Sequence, residues 1–156
     1  MKNPRTVIGA LALSASALVG IAQWEDYRGE AYTPVKGDVP TIGFGTTSGV
    51  KRGDTITPPR ALVRLLADAD QYASAVKRCA PVPMRQHEFD AYVSLAYNIG
   101  PNAFCTSTLA RKLNAGDYSG ACREINKWVY FKGRKLSGLV KRRRAEYRLC
   151  MGGPTS

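Results

Sequence analysis

The sequence predicts a mostly helical α+β fold, with one short β-hairpin near the N-terminus and a succession of helices after it. Three observations carry this. A Gly- and Pro-punctuated stretch from Ala31 to Gly45 holds two runs of strand-forming residues on either side of Lys36-Gly37-Asp38. Beyond Thr57, apolar residues recur at helical spacing. The 156 residues, 44% hydrophobic and 22% charged, are enough for one domain with its own core.

The chain opens on Met1–Thr6, which carries Lys2 and Arg5, and continues through Val7–Ala22, 16 residues without a charge. A basic start followed by an apolar run is the pattern of a signal sequence. The run is shorter than the ~20 residues of a stable membrane span, and it is rich in Gly, Ala and Ser. Ala15-Ser16-Ala17 has the look of a cleavage site. Three readings stand: a cleaved signal, a buried first helix, and an uncleaved signal-anchor that leaves the membrane and refolds as the helix carrying Glu25. The third is favoured, because cutting after Ala17 or Ala22 shortens or removes the helix in front of Trp24-Glu25.

Ala31-Tyr32-Thr33 with Pro34-Val35 reads as a first strand, Lys36-Gly37-Asp38 as a turn, and Val39–Gly45 as the returning strand. Gly43 and Gly45 clear one face of that strand, which suits close approach of a ligand to the backbone. Thr57-Pro58 is a helix start. Ala61, Leu62, Leu65, Leu66, Ala69, Tyr72, Ala73 and Val76 continue the helix to about Arg78, and Pro81 and Pro83 end it. Phe89–Ile99 is apolar nearly all round and reads as the core helix. Ser119–Tyr130 and Leu136–Cys150 read as amphipathic helices, with Leu136, Leu139, Val140, Tyr147 and Cys150 on one face of the second. The basic run Lys141–Arg144 reads as a solvated face, Arg142 pairing locally with Glu146, or as a patch drawn to an anionic surface.

The net charge of +11 points to anionic partners: nucleic acid, an acidic membrane face or an acidic polymer such as cell wall. Cys79, Cys105, Cys122 and Cys150 include no C-x-x-C pair, and His87, the one histidine, has no second His four residues on, so no metal site is expected. Four buried thiols are one reading. Export favours disulfides. Of the three connectivities, Cys122–Cys150 on consecutive helices is chosen, leaving Cys79–Cys105.

An acid closing a helix (Glu25), an acid at a turn (Asp38) and a hydroxyl on a strand (Thr41) together suit glycosidic hydrolysis. That chemistry needs a proton donor on one side of the bond and a group that orients water on the other. The order Glu25, Tyr32, then P-T-I-G-F-G (40–45) resembles the phage-type lysozymes, glycoside hydrolase family 24. So do F-D-A-Y-V-S-L-A-Y-N-I-G (89–100), F-C-T-S-T-L-A-R-K-L-N-A-G-D-Y (104–118), W-V-Y (128–130) and G-L-V-K-R-R-R-A-E (138–146), a likeness spanning roughly residues 17–150. Members with weakly apolar N-termini are signal-anchor-release endolysins.

The resemblance implies a two-lobe lysozyme-like fold. A hairpin lobe (23–57) and a helical lobe (80–156) are joined by a long helix (58–79), with the anchor over 1–22 and the enzyme domain over 17–156. It implies Glu25 as the acid and Thr41 as the hydroxyl. The family's Asp falls nine positions after the Glu, where this chain has Pro34. Asp38 takes that role by elimination, with Glu30 the other candidate and plain turn chemistry the alternative for Asp38. Glu25, raised in pKa by apolar surroundings, would protonate the leaving oxygen while Asp38 and Thr41 orient water, an inverting layout. Thr47, Tyr97 and Thr108 are implied substrate contacts.

The function so read is an N-acetylmuramidase endolysin that cuts the β-1,4 bond between N-acetylmuramic acid and N-acetylglucosamine in peptidoglycan. It needs no cofactor, binds no nucleic acid and acts as a monomer, tethered inactive at the host inner membrane and then released active into the periplasm. A basic nucleic-acid-binding protein using the KRRR run and a non-enzymatic membrane-active protein are the alternatives.

Overall fold

The computed structural model describes residues 4–154, so Lys2 of the expected basic start and the last two residues of the expected enzyme domain lie outside it. Among the described residues the helices are α1 (Ala15–Trp24), α2 (Pro58–Cys79), α3 (Gln86–Ile99), α4 (Pro101–Cys105), α5 (Thr108–Asn114), α6 (Tyr118–Glu124) and α7 (Ser137–Cys150). Strands β1 (Arg28–Tyr32) and β2 (Thr41–Gly43) form one antiparallel hairpin, and β3 (Tyr130–Phe131) and β4 (Arg134–Lys135) a second.

α3 is the centre. Its residues Glu88–Ala96 are all buried, which a helix achieves only when neighbours cover every face. α7 and α2 pack along it and α4 packs against its end. Phe89, Tyr92 and Leu95 meet Val76, Phe104, Leu109, Leu113 and Ile125 in one core. α5 and α6 close the lobe, each started by a side-chain cap: Ser107 accepts from the Ala110 N–H (3.1 Å) and Asp117 from the Gly120 N–H (2.9 Å). Disulfides Cys79–Cys105 and Cys122–Cys150 tie α2 to α4 and α6 to α7. Each closes a loop long enough to stabilise the fold by about 3–4 kcal/mol through the unfolded state.

The N-terminal segment lies along the start of α3. Thr6 and Met84 exchange backbone hydrogen bonds (2.8 and 3.0 Å), and Arg5 pairs with Glu88 (2.9 Å). The apolar run is not one helix. A 3-10 turn over Ile8–Ala10 precedes an extended step at Leu11, and α1 starts only after Ser14. Ser14 caps α1 by accepting from the Ala17 N–H (3.1 Å) and donates to Asp90 from its hydroxyl (2.7 Å) and backbone N–H (3.1 Å). No helix of the described residues is long and apolar enough to cross a membrane.

The first strand lies earlier than the expected Ala31–Val35, ending at Tyr32, and the returning strand is shorter than the expected Val39–Gly45. Arg28 stands opposite Gly43 and Tyr32 opposite Thr41, so four steps of β1 face two of β2 and the ladder is bulged. Its returning strand stops at Gly43, because Gly43 (φ 64°) and Gly45 (φ 87°) take left-handed backbone and turn the chain. Gly43 also lets β2 lie on α2, since a Cβ there would sit 3.0 Å from that of Ala61. α2 thus touches the hairpin at one end and contributes Ala73 and Val76 to the helical core at the other.

Two further expectations are corrected. The helix expected over Ser119–Tyr130 ends at Glu124, continues as a 3-10 turn (Ile125–Lys127) and gives way to the β3–β4 hairpin. Lys132 (φ 47°) and Gly133 (φ 77°) make the two-residue turn that such a hairpin requires. α7 buries Arg142, Arg143, Glu146 and Cys150, and Leu136, expected on its apolar face, precedes the helix and is exposed. The Lys141–Arg144 run is therefore not a wholly solvated face.

Glu124 shows how the lobe holds its buried charges. It is buried and accepts from Lys112 (2.7 Å) and Lys127 (2.9 Å), and these two hydrogen bonds hold its carboxyl below the usual carboxylate range. A depressed carboxyl stabilises the fold above its unfolded pKa, near 4.3, and loses that contribution as pH falls through the lower folded value. Glu124→Gln should cost about 1–3 kcal/mol at pH 7 in urea unfolding, and its difference from wild type should shrink when the melts are repeated near pH 3.

Candidate active site

Glu25 is the residue at which α1 stops, its backbone N–H still bonded to Ala22 O (3.3 Å). Its side chain is 25% exposed and meets a charge, not the apolar wall expected: Arg142 Nη1 donates to Oε1 at 3.2 Å. Oε2 points toward the turn after β2. A Cβ on residue 45 would lie 3.7 Å from Glu25 Oε2 and 3.6 Å from Tyr97 Oη, so glycine leaves room for the acid, and only its backbone faces it.

Arg142 belongs to a buried charge network. Its Nε donates to Glu146 Oε1 (3.0 Å) and its Nη2 to Ser94 O (3.3 Å), while Ser94 Oγ donates to the same Glu146 oxygen (2.7 Å). Arg143 lies 2.9 Å from Glu146 Oε2 and donates to Asn98 Oδ1 (2.8 Å). Burial pulls the Arg143 guanidinium down to about 10, against the pull of Glu146 in the other direction, so it stays charged at neutral pH. The sequence reading missed Arg142 and Arg143 as inward residues. One signal was present: four consecutive cations on a helix span some 300° of arc, so they cannot all face solvent.

Tyr97 comes from α3, in the last turn before Gly100, and donates its hydroxyl to Phe44 O (3.0 Å). Burial raises the phenol above its usual range, and the nearby carboxylates of Glu25 and Asp68 act in the same direction. Tyr72, on α2, packs its ring against Tyr97 at 5.1 Å and is raised by the same three causes. Both therefore remain hydrogen-bond donors at neutral pH. Gly45, Thr47, Ser48, Asp68, Gln71, Tyr72 and Tyr97 line a recess of about 120 Å³ beside Glu25's turn. Thr47 and Tyr97, two implied substrate contacts, thus share one recess. Asp68, Tyr72, Gln71 and Ser48 were not singled out from sequence.

The remaining predicted residues stand apart from that recess. Thr41 opens β2 and is buried, its hydroxyl donating to Val39 O (3.3 Å). Asp38 is exposed in the turn before β2, and among the described residues only its backbone N–H is bonded, to Val35 O (2.9 Å). Glu30, the alternative acid, lies in β1 and bridges Thr55. Thr108 is exposed at the first position of α5, where Arg111 donates to its hydroxyl (2.8 Å). Among the described residues no cluster of His, Cys, Asp and Glu is built to hold a metal.

The phage lysozyme family model matches residues 22–146. An endolysin of Acyrthosiphon pisum secondary endosymbiont phage 1 is 43% identical over 138 residues, covering 86% of this chain and 94% of the relative. The SAR-endolysin of Pseudomonas phage phiKMV is 35% identical over 144 residues, covering 90% of this chain and 89% of the relative. In structure, the muramidase domain of SpmX from Asticaccaulis excentricus superposes with a TM-score of 0.84 at 29% identity, over 90% of this chain and 98% of that one. The expected two-lobe architecture, a hairpin lobe against a helical lobe, is the one these matches share.

Removing one member of a buried ion network leaves the others uncompensated, at roughly 3–5 kcal/mol. Arg142→Met and Arg143→Met should both lose stability of that order in urea unfolding. Of the two, Arg142 is the one bonded to Glu25, so Arg142→Met should also lose hydrolytic activity at temperatures where both variants are folded, and Arg143→Met should keep it.

Proposed function

The chain belongs to the phage lysozyme family, and from that premise we propose that it is an endolysin. It hydrolyses the β-1,4 bond between N-acetylmuramic acid and N-acetylglucosamine in bacterial peptidoglycan, for host lysis and phage release. One observation carries the reading: the acid that ends α1 is fixed by Arg142 with its second oxygen turned to a side-chain-free stretch of backbone, beside a recess lined by hydroxyls and amides. A polysaccharide needs such a surface, polar donors and acceptors along a groove and one carboxyl at the bond that breaks.

In the proposed reaction Glu25 protonates the leaving glycosidic oxygen through Oε2. A water attacks the anomeric carbon from the opposite face as the C–O bond breaks. Asp38 takes the proton from that water, and Thr41 helps to orient it. The Thr41 hydroxyl spends its proton on Val39 O, so its lone pairs are left to accept from the water. Thr47 and Tyr97, and Thr108 beyond them, contact the sugar chain. The outcome is inversion, with no cofactor.

The proposal extends to where the enzyme works. Residues 1–22 serve as an uncleaved anchor in the host inner membrane, and the enzyme domain spans 17–156, with hairpin lobe 23–57, connecting helix 58–79 and helical lobe 80–156. While the segment is in lipid, α1 is not packed on the enzyme and Glu25 lacks Arg142. Release into the periplasm restores both, and the protein acts there as a monomer. The name SAR-endolysin among the relatives supports this, as do the uncharged run and the small residues that weaken its hold on lipid.

Two measurements follow. Reducing-sugar release from purified murein should fall on the order of 10²–10⁴-fold in Glu25→Gln and nearly as far in Asp38→Asn, each variant folded by circular dichroism. Full activity in Asp38→Asn would transfer its role to Glu30. Val19 is exposed on α1 in the folded enzyme, yet a charge there costs about 2.5–3.5 kcal/mol in a membrane span. Val19→Arg should therefore move the protein from the membrane fraction to the soluble one while the purified enzyme keeps its rate on murein. An unchanged distribution would exclude the anchor.

A further inference from the structure

The turn that faces Glu25 is held from three directions. Ile42 and Thr46 exchange both backbone hydrogen bonds (2.9 and 3.0 Å), which closes Gly43-Phe44-Gly45 into a tight loop. Tyr97 donates to the carbonyl of Phe44 within it (3.0 Å). From below, the Thr46 hydroxyl donates to Asp68 Oδ2 at 2.6 Å, the length of a charge-assisted bond. Thr46 is 2% exposed, so water does not compete for that hydroxyl.

Asp68 sits on α2 seven residues after Ala61, two helical turns along the same face. Ala61 is the residue that Gly43 rests on. One rigid helix therefore meets the turn twice, by apolar contact under its first residue and by a hydrogen bond just past its last. Ala61 fixes height but leaves the turn free to slide or tilt. The Thr46–Asp68 bond is directional and removes that freedom.

We infer that Asp68 is a positioning residue for the reaction at Glu25. Acting through Thr46, it fixes the Gly43–Gly45 turn on α2, and so fixes the backbone wall that faces Glu25 Oε2. The inference deepens the lysozyme reading and rests on it. Asp68 also borders the recess beside the turn, so direct contact with the sugar is the competing role.

The test uses the full-length enzyme on purified murein, comparing wild type with Thr46→Val, Thr46→Ser, Asp68→Ala and the Thr46→Val/Asp68→Ala double variant. Rates are read well below the lowest Tm of the set, with Glu25→Gln in parallel. A wall displaced by about an ångström should lower kcat roughly 10- to 100-fold in Thr46→Val and in Asp68→Ala, with KM within about twofold of wild type. The double variant should be no slower than the slower single, and Thr46→Ser, which restores the donor, should recover the rate. A lowered Tm with wild-type kcat would reduce the pair to a stabilising bond. A raised KM in Asp68→Ala, with Thr46→Val unaffected, would make Asp68 a substrate contact. Either result overturns the positioning role alone, provided Glu25→Gln is inactive. An active Glu25→Gln overturns the site reading itself, and the positioning role with it.

Discussion

The interaction on which the rest depends is the guanidinium of Arg142, buried at the junction of three helices. A charge in that position is costly unless neutralised and fully bonded. It is met by Glu146 on its own helix, by the Ser94 carbonyl on α3, and by Glu25 from the end of α1. The first two are built into the helical lobe. The third arrives only if α1 is folded in place. Satisfying the core and placing Glu25 are therefore one event. An α1 that docked elsewhere would leave Arg142 short of a partner and Glu25 unplaced.

The same logic explains how an N-terminal segment whose helix buries so little keeps its place. α1 buries only Ala17 and Ile21, a modest hydrophobic contribution at about 25 cal/mol per Å². Polar groups supply the specificity. Ser14 is held by Asp90, Arg5 by Glu88, and Thr6 by the backbone of Met84. These bonds are directional, so they set the residue at which α1 begins, and the ten residues of α1 then set where Glu25 falls.

Much of this was legible in sequence wherever one local rule decides the outcome. Thr57-Pro58 and the prolines after Ala80 bound α2, because proline cannot sit inside a helix. The stretch at 89–99, apolar nearly all round, read as the core helix, and α3 is that helix. The cysteine pairing followed from which helices neighbour one another. Glu25 was legible because it ends an apolar run just before glycines. What escaped depends on contacts between distant segments. Glycines 43 and 45 look alike in a strand and in a left-handed turn, and α2 beneath them decides. Lys141–Arg144 looks solvated until Glu25 and Asn98, far off in sequence, are brought to Arg142 and Arg143. Asp68 resembles any exposed helix acid until Thr46 reaches it.

One feature of the cleft bears on how such an enzyme diversifies. Where the wall comes nearest to Glu25, it is the main chain at Gly45, held at a φ of 87° that side-chain-bearing residues rarely adopt. Substitution there cannot add a group facing Glu25 without straining the loop. The recess rim at Thr47, Ser48 and Gln71 takes no left-handed backbone, so a change of side chain there meets no such penalty.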